Sequence, residues 1–222
     1  MESASPRSQL TFVSVPAEQH PVRATVIPLQ GQDSRLEDLV AAGRSLGGDV
    51  ELFVPEAPRA VYFGRAMVSR YWFVAEPDQP GVPDPPSFGD TLYQVEQFVY
   101  DVLDRPEVEG RLPCLLGVEQ GAVLALAATE VIPQQLAGVI AVGGFLAEIP
   151  GWEPPERELN GLPVLLVNEP GGGRLPPGLI DETRERLVRE GAAVETVTVE
   201  DALALGPEVQ DVLATWLRAR SS

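Results

Sequence analysis

Histidine, cysteine and lysine are almost absent from this chain of 222 residues. His20 and Cys114 are single residues of their types, and all 16 basic residues are arginines. One cysteine cannot form an internal disulfide, and one histidine with one cysteine cannot build the usual zinc site. Cys114 stands in an apolar run, which indicates a buried small hydrophobe. The sequence therefore predicts no metal and no cofactor.

The sequence also lacks long apolar runs and an excess of basic residues. No stretch of about 18 apolar residues could cross a membrane, and no N-terminal segment has the pattern of a signal peptide. These features predict a cytoplasmic protein that does not bind membranes. A formal net charge of −17 also argues against nucleic acid as a partner. The length and a hydrophobic content of 44% fit a single domain over residues 1–222, with 1–9 as a poorly ordered tail.

Strand and helix patterns alternate along most of the chain. Continuous apolar strands between amphipathic helices predict an α/β fold, with a mostly parallel central sheet and helices on both faces. The first two strands are expected to form an antiparallel hairpin at one edge. The predicted strands are residues 10–15, 22–29, 50–54, 113–118, 136–142, 163–167 and 193–199. The predicted helices are 36–46, with Asp33 or Ser34 as N-cap, 92–103, 120–131, 180–190 and 207–218.

The longest irregular region is predicted between residues 55 and 90, which hold seven of the 22 prolines. We interpret it as a long, stiff surface loop over the site, because loops of this length inside compact domains are usually functional or mobile. Ligand sites in such sheets lie beyond the carboxyl ends of the strands. Trp72 and Phe73 fall in this region, either as structural anchors of the loop or as ligand contacts.

The segment Gly117-Val118-Glu119-Gln120-Gly121 closes an apolar strand and opens an apolar helix. In serine hydrolases this position carries the nucleophile elbow G-x-S-x-G, a sharp turn that presents the serine at the strand end. Both glycines are present here, but a glutamate stands in place of the serine.

Six further segments accompany this turn in a fixed order. They are residues 27–33 (IPLQGQD), 53–58 (FVPEAP), 72–73 (WF), 136–146 (LAGVIAVGGFL), 163–177 (with Pro176-Pro177 at its end) and 207–208 (PE). Together with the elbow they resemble the phospholipase/carboxylesterase group of α/β-hydrolases, which includes the acyl-protein thioesterases. The resemblance implies a minimal α/β-hydrolase fold without a large cap domain, and an esterase or thioesterase activity that uses a Ser-His-Asp triad.

The departures from that family fall on its catalytic positions. The resemblance places the nucleophile at Glu119, the aspartate at Gly172 and the histidine at Leu203, so no triad member is intact. A triad needs an imidazole to accept the serine proton, and His20 lies in a turn expected far from the elbow. The resemblance also implies that the backbone N–H groups of Gln32 and Gln120 form the oxyanion hole.

Three hypotheses follow from these substitutions. In the first, the chain is a catalytically degenerate hydrolase that binds a small acyl-type ligand or a protein partner. Glu119 then fills the old site, by accepting hydrogen bonds from the oxyanion-hole N–H groups or by pairing with Arg65, Arg70 or Arg174. In the second, Glu119 is the acid/base of an altered enzyme. In the third, the chain has an interaction role as a homodimer, and an exposed apolar patch is expected.

Overall fold

A seven-stranded sheet forms the centre of the computed structural model, which describes residues 8–32, 34–75, 82–154, 158–176 and 178–220. The strand order is β1–β3–β2–β6–β7–β8–β9, and every neighbouring pair except β1 and β3 is parallel. The strands are β1 (Phe12–Val15), β2 (Ala24–Leu29), β3 (Val50–Pro55), β6 (Cys114–Val118), β7 (Gly138–Val142), β8 (Pro163–Asn168) and β9 (Ala193–Thr198). The predicted mostly parallel sheet is confirmed.

Helices cover both faces of this sheet, as predicted. Successive side chains of the central strands point to opposite faces, so each strand contributes apolar side chains to two hydrophobic cores. Along β8, Val164 and Leu166 face one hydrophobic core, while Leu165 and Val167 face the other. The first core is closed by α2 (Pro85–Leu103), α3 (Gln120–Val131) and α4 (Leu179–Arg189). The second is closed by α1 (Leu36–Ser45) and α5 (Pro207–Arg218).

The predicted hairpin of the first two strands is wrong. β1 pairs antiparallel with β3, with Phe12 opposite Pro55, while β2 lies between β3 and β6. All six residues of β2 are buried, so this strand gains most from a central place with a partner on each side. The connection 16–23 is also too long for a tight hairpin turn, so it lets β1 cross to the outer edge of β3.

The region 55–90 is not one irregular loop. β4 (Arg59–Phe63) and β5 (Ala66–Tyr71) form a separate two-stranded antiparallel sheet, which we call the hairpin. α2 begins at Pro85, seven residues before the predicted start at residue 92. Prolines fit the first helical turn, and the Asp84 carboxylate caps it by accepting a hydrogen bond from the Ser87 N–H at 2.9 Å. Residues 76–81 lie outside the described part of the chain.

The structure also differs from the predictions in the N-terminal tail and at the start of the first helix. Of the predicted tail 1–9, residues 1–7 lie outside the described residues, and the Ser8 N–H donates to the Asp101 carboxylate. Arg35, without a side-chain cap, precedes α1. The Ser34 hydroxyl instead accepts a hydrogen bond from the Gly31 N–H, and Asp33 is outside the described residues. No helix among the described residues is long and apolar enough to cross a membrane.

Candidate functional site

Glu119 stands at the junction between β6 and α3 in a strained backbone conformation, with φ 51° and ψ −112°. Two glycines allow this sharp turn. A Cβ on Gly117 would lie 2.2 Å from the carbonyl oxygen of Gly121, and a Cβ on Gly121 would lie 2.1 Å from that of Leu29. Neither position therefore accepts a side chain, and the predicted strand–turn–helix geometry of the elbow is confirmed.

The carboxyl ends of the strands surround a cavity of about 230 Å³ beside this turn. All three positions that the family resemblance assigned to the triad line it, although they are far apart in the sequence. The lining residues are Gln32, Phe73, Ala75, Glu119, Gln120, Val123, Gly143, Phe145, Glu169, Gly172, Arg174, Leu175 and Leu203. A cavity thus lies at the edge of the sheet where a ligand site is expected.

The Glu119 carboxylate occupies half of the predicted oxyanion hole. Its Oε2 accepts a hydrogen bond of 3.0 Å from the Gln32 N–H. The Gln120 N–H donates to no acceptor among the described residues. The Glu119 backbone is fixed separately, because its own N–H donates to the Val142 carbonyl at 2.9 Å. Of the two predicted donors, the Gln32 N–H is therefore occupied by the protein itself, and the Gln120 N–H has no acceptor in the described part of the chain.

The expected pairing of Glu119 with an arginine is absent from the described residues. Arg70 pairs with Glu56 at 3.2 Å and donates to the Ala57 carbonyl. Arg65 is exposed in the turn of the hairpin. Arg174 lines the cavity but has no ion pair within the described part of the chain.

Gly172 and Leu203 supply no polar side chain to the cavity. Gly172 ends the short turn Pro170–Gly172 with φ 88°, and its N–H donates to the Glu169 carbonyl at 3.0 Å. Leu203 lies in the turn Ala202–Ala204, and its Cδ2 is 2.5 Å from the place of a Cβ on Gly143. The leucine side chain thus forms an apolar wall where the family resemblance places the imidazole.

The carboxamide of Gln120 has a structural role that the sequence did not indicate. Its oxygen accepts from the Trp72 N–H at 2.9 Å, and its nitrogen donates to the Phe73 carbonyl at 3.1 Å. Trp72 is fully buried, does not line the cavity, and donates its ring N–H to the Gln30 carbonyl at 2.8 Å. Trp72 therefore anchors the end of the hairpin, whereas Phe73 forms part of the cavity wall.

Three further residues of the cavity were missed or only partly identified. Glu169 follows β8 directly, and its position at the carboxyl end of a parallel strand was a usable signal. Phe145 was noted only within a motif, and Arg174 only as a partner for Glu119. A larger, more open cleft of about 520 Å³ lies against α4, but it contains none of the three triad positions.

The polar groups at the cavity are the carboxylates of Glu119 and Glu169, the Arg174 guanidinium, two glutamine carboxamides and backbone amides. His20 is exposed and precedes β2, so it lies at the opposite end of the sheet from Glu119, as predicted. No group of three or more histidine, cysteine, aspartate or glutamate residues suited to a metal occurs in the described ranges. Serine-type acyl transfer needs a nucleophile and a base, and the residues lining the cavity provide neither a serine nor an imidazole.

Comparison with known proteins identifies the fold. The sequence matches no family model and no curated protein. A carboxylesterase from Mesorhizobium loti superposes with a TM-score of 0.79 at 16% identity, over 94% of each chain. A carboxylesterase from Bacillus cereus gives a TM-score of 0.76 at 13% identity, over 96% of this chain and 95% of the other. A phospholipase/carboxylesterase from Dyadobacter fermentans gives 0.66 at 16% identity, over 96% and 98%. The chain therefore has the fold of the α/β-hydrolase carboxylesterases, and its described residues form no large cap.

Proposed function

We propose that this protein is a catalytically degenerate relative of the esterases that binds a small, neutral acyl-type ligand in the cavity beside Glu119. One observation carries the proposal. Glu119, Gly172 and Leu203 line the same cavity, so the three substituted positions lie together at the place where a triad would act. The fold is that of the structurally similar esterases, while none of these three residues is a serine or a histidine.

The replacement residues oppose ester hydrolysis at each step. A tetrahedral intermediate carries its negative charge in the oxyanion hole, where two N–H donors usually stabilise it. Here the Gln32 N–H already donates to the Glu119 carboxylate, whose charge repels an incoming oxyanion. Leu203 cannot accept a proton, so a serine at position 119 alone would lack a base.

The cavity wall favours a ligand with an apolar chain and an uncharged polar end. Its apolar side is formed by Phe73, Val123, Phe145, Leu175 and Leu203. At its polar end, the carboxylate of residue 119 accepts a hydrogen bond, and the N–H of residue 120 has no acceptor among the described residues, so it can donate to a ligand. A primary acyl amide matches both groups, because its NH₂ donates and its carbonyl accepts. A fatty acid anion is disfavoured, since the two lining carboxylates of Glu119 and Glu169 outnumber the single guanidinium of Arg174.

Binding of two isosteric probes tests this proposal. We expect hexanamide to shift the amide NMR signals of residues around the cavity, and hexanoate at the same concentration and neutral pH to shift them much less. Val123→Trp, which fills the cavity, is expected to abolish the shifts, whereas Val188→Trp on the exposed face of α4 retains them. Equal binding of both probes, or shifts that survive Val123→Trp, would contradict the proposal.

A working enzyme that uses Glu119 as acid/base is the second candidate. It is favoured by the carboxylate being half-buried in a partly apolar cavity, next to an N–H without an acceptor among the described residues. This alternative needs turnover that disappears in Glu119→Gln while hexanamide binding persists. The binding proposal predicts no turnover in either protein.

A further inference from the structure

A second concave site lies between α2 and the turn at residues 149–152, and we call it the α2 groove. Its volume is about 360 Å³, and it shares no described lining residue with the cavity at Glu119. Three of its described lining residues are aromatic, namely Phe88, Tyr93 and Trp152, and Glu96 is the charged one. The α2 groove therefore differs from the cavity in both place and chemistry.

The wall of the groove on α2 is open because it contains a glycine. Pro85, Gly89, Tyr93 and Glu96 follow one another at helical spacing, so they form one stripe along the helix. A Cβ added to Gly89 would have no atom within 4 Å, so packing does not require a glycine at this position. Glycine is also unfavourable inside a helix. The missing side chain leaves room that a ligand can occupy.

A tight turn forms the opposite wall of the α2 groove. The Trp152 N–H donates to the Ile149 carbonyl at 3.0 Å, across Pro150 and Gly151. Gly151 has a φ of 76°, and proline followed by such a glycine is typical of a type II turn. The Trp152 ring also packs against the Phe88 ring, with 6.4 Å between the centroids. Since both walls are formed without a ligand, binding costs little ordering of the protein.

The aromatic rings and the single carboxylate of the groove favour a cation. Glu96 has no ion pair in the described ranges. Arginines lie over aromatic rings elsewhere, as Arg220 does over Trp216 at 4.2 Å, but none lies over the three rings of the groove among the described residues. The adjacent cleft also contains Trp152, but its two arginines are matched there by two glutamates. The net charge of −17 further concentrates cations near the surface.

The hydrogen-bonding groups of the groove indicate which kind of cation fits. A primary ammonium has three N–H donors and is strongly hydrated, so it needs several acceptors when it leaves water. The described side chains of the groove offer only the Glu96 carboxylate and the Tyr93 hydroxyl. A quaternary ammonium has no N–H to satisfy, and its charge is attracted both by ring faces and by a carboxylate.

We propose that the α2 groove binds a small, soluble quaternary ammonium compound, with its methyl groups between Tyr93 and Trp152 and its charge beside Glu96. The volume of the groove lies at the lower end of the range for ligand pockets, which suits a small compound. The headgroup of a membrane lipid fits less well, because anionic membrane surfaces repel this acidic molecule. The site is independent of the ligand proposed for the cavity at Glu119.

Choline and its neutral isostere 3,3-dimethyl-1-butanol test this site, because they differ in charge and hardly in shape. We expect choline to shift the NMR signal of the Trp152 indole N–H until saturation, and to leave the indole signals of Trp72 and Trp216 unchanged. The isostere should bind at least about tenfold more weakly. Choline chloride replaces sodium chloride at constant ionic strength, so that the titration does not change screening.

Variants of the groove separate its charge from its shape. Glu96→Gln should weaken choline binding by about tenfold. Glu208→Gln is the matched control, since it removes the same charge from α5 on the other face of the sheet and should leave binding unchanged. Gly89→Leu fills the open space, so we expect it to abolish choline binding. It should also raise the urea midpoint, because leucine is a better helix former than glycine.

Three results would overturn the proposal. The first is equal affinity for choline and the isostere, and the second is choline binding that survives both Glu96→Gln and Gly89→Leu. The third is a Trp152 signal that shifts with phosphatidylcholine vesicles and not with free choline, which would assign the groove to a lipid surface. Hexanamide binding is measured at residues of the other cavity, so a failure here is distinguishable from a failure of the proposed function.

Discussion

At the scale of single residues, Glu119 combines an unfavourable backbone conformation with a single hydrogen bond to its side chain. A positive φ with ψ near −112° suits glycine, and a non-glycine residue there costs on the order of 1–3 kcal/mol. A serine hydrolase accepts this cost because it presents the nucleophile. Here the strain remains although no serine is presented at this position.

Replacement of Glu119 by glycine and by alanine separates the strain from the side-chain contact. Both variants lose the hydrogen bond from the Gln32 N–H, so their difference reports the backbone. We expect Glu119→Gly to be more stable than Glu119→Ala by about 1–2 kcal/mol in urea unfolding. At Ala127, inside α3, glycine should instead be less stable than alanine by about 1 kcal/mol. An alanine variant at residue 119 as stable as the glycine variant would show that no strain is stored there.

At the scale of secondary structure elements, the predicted bounds are most accurate where a local signal marks the start of the helix. The bounds of α3 and α5 are the predicted ones, since α3 is a dense apolar segment after a glycine turn and α5 starts with proline. The hairpin was missed because the prolines around it outweighed its aromatic and β-branched residues. The pairing of β1 could not be predicted, because both β2 and β3 offer an apolar edge and only the whole sheet decides between them.

The Gln120 side chain is expected to stabilise the end of the hairpin rather than to take part in catalysis. Its carboxamide makes two hydrogen bonds to the main chain at Trp72 and Phe73, both beside buried residues. Gln120→Ala is expected to lower the free energy of unfolding by about 1–3 kcal/mol and to speed hydrogen exchange at the Trp72 amide. Gln94→Ala is the control, because Gln94 bonds only to the exposed Asp90 carboxylate among the described contacts, and a change below about 0.5 kcal/mol is expected. Unchanged exchange at Trp72 would contradict the structural role.

The contact between α3 and α4 should make stability depend on pH. Glu130 is buried on α3 and pairs with Arg186 on α4, while its Oε2 has no partner in the described ranges. Burial raises the pKa of Glu130 to about 7, against the opposing effect of Arg186. The folded protein therefore binds an extra proton between the unfolded pKa, about 4.3, and about pH 7. The contribution of Glu130 to the free energy of unfolding is fully present below this pH range and is lost as the pH rises through it.

The variant Glu130→Gln isolates this effect, since glutamine cannot titrate. The free energy of unfolding of the wild-type protein should fall relative to that of Glu130→Gln as the pH rises from about 4.5 to about 7, and the difference should then level off. Urea unfolding at a series of pH values measures it. Parallel curves for the two proteins would mean that Glu130 is ionised throughout.

At the scale of the whole molecule, the excess of acidic residues works against compactness. The chain has 33 acidic and 16 basic residues, so charges of one sign crowd the folded surface more than they crowd the unfolded chain. Raising sodium chloride from about 0.01 M to about 0.5 M should therefore raise the Tm by several degrees. Calorimetry in sodium chloride and potassium chloride at equal ionic strength separates screening from ion-specific effects. A Tm that falls with both salts would show that attractive pairs dominate.

The site itself could be predicted only in part from the sequence. Motif order located Glu119, Gly172 and Leu203, and the structure places all three at one cavity. The contacts that define the cavity depend on side-chain positions from separate strands, so motifs could not predict that Gln120 would hold the hairpin. For the same reason, the sequence did not show that Arg174 would lie at the cavity without joining Glu119.

Hydrolysis of short and medium p-nitrophenyl esters by the purified protein, beside Glu119→Ala, tests whether this cavity supports ester cleavage. We expect neither protein to exceed the buffer rate, because the residues that line the cavity include no serine and no histidine. Activity in the wild-type protein that disappears in Glu119→Ala, with the fold intact by circular dichroism, would contradict it. The carboxylate of Glu119 would then be a working catalytic group.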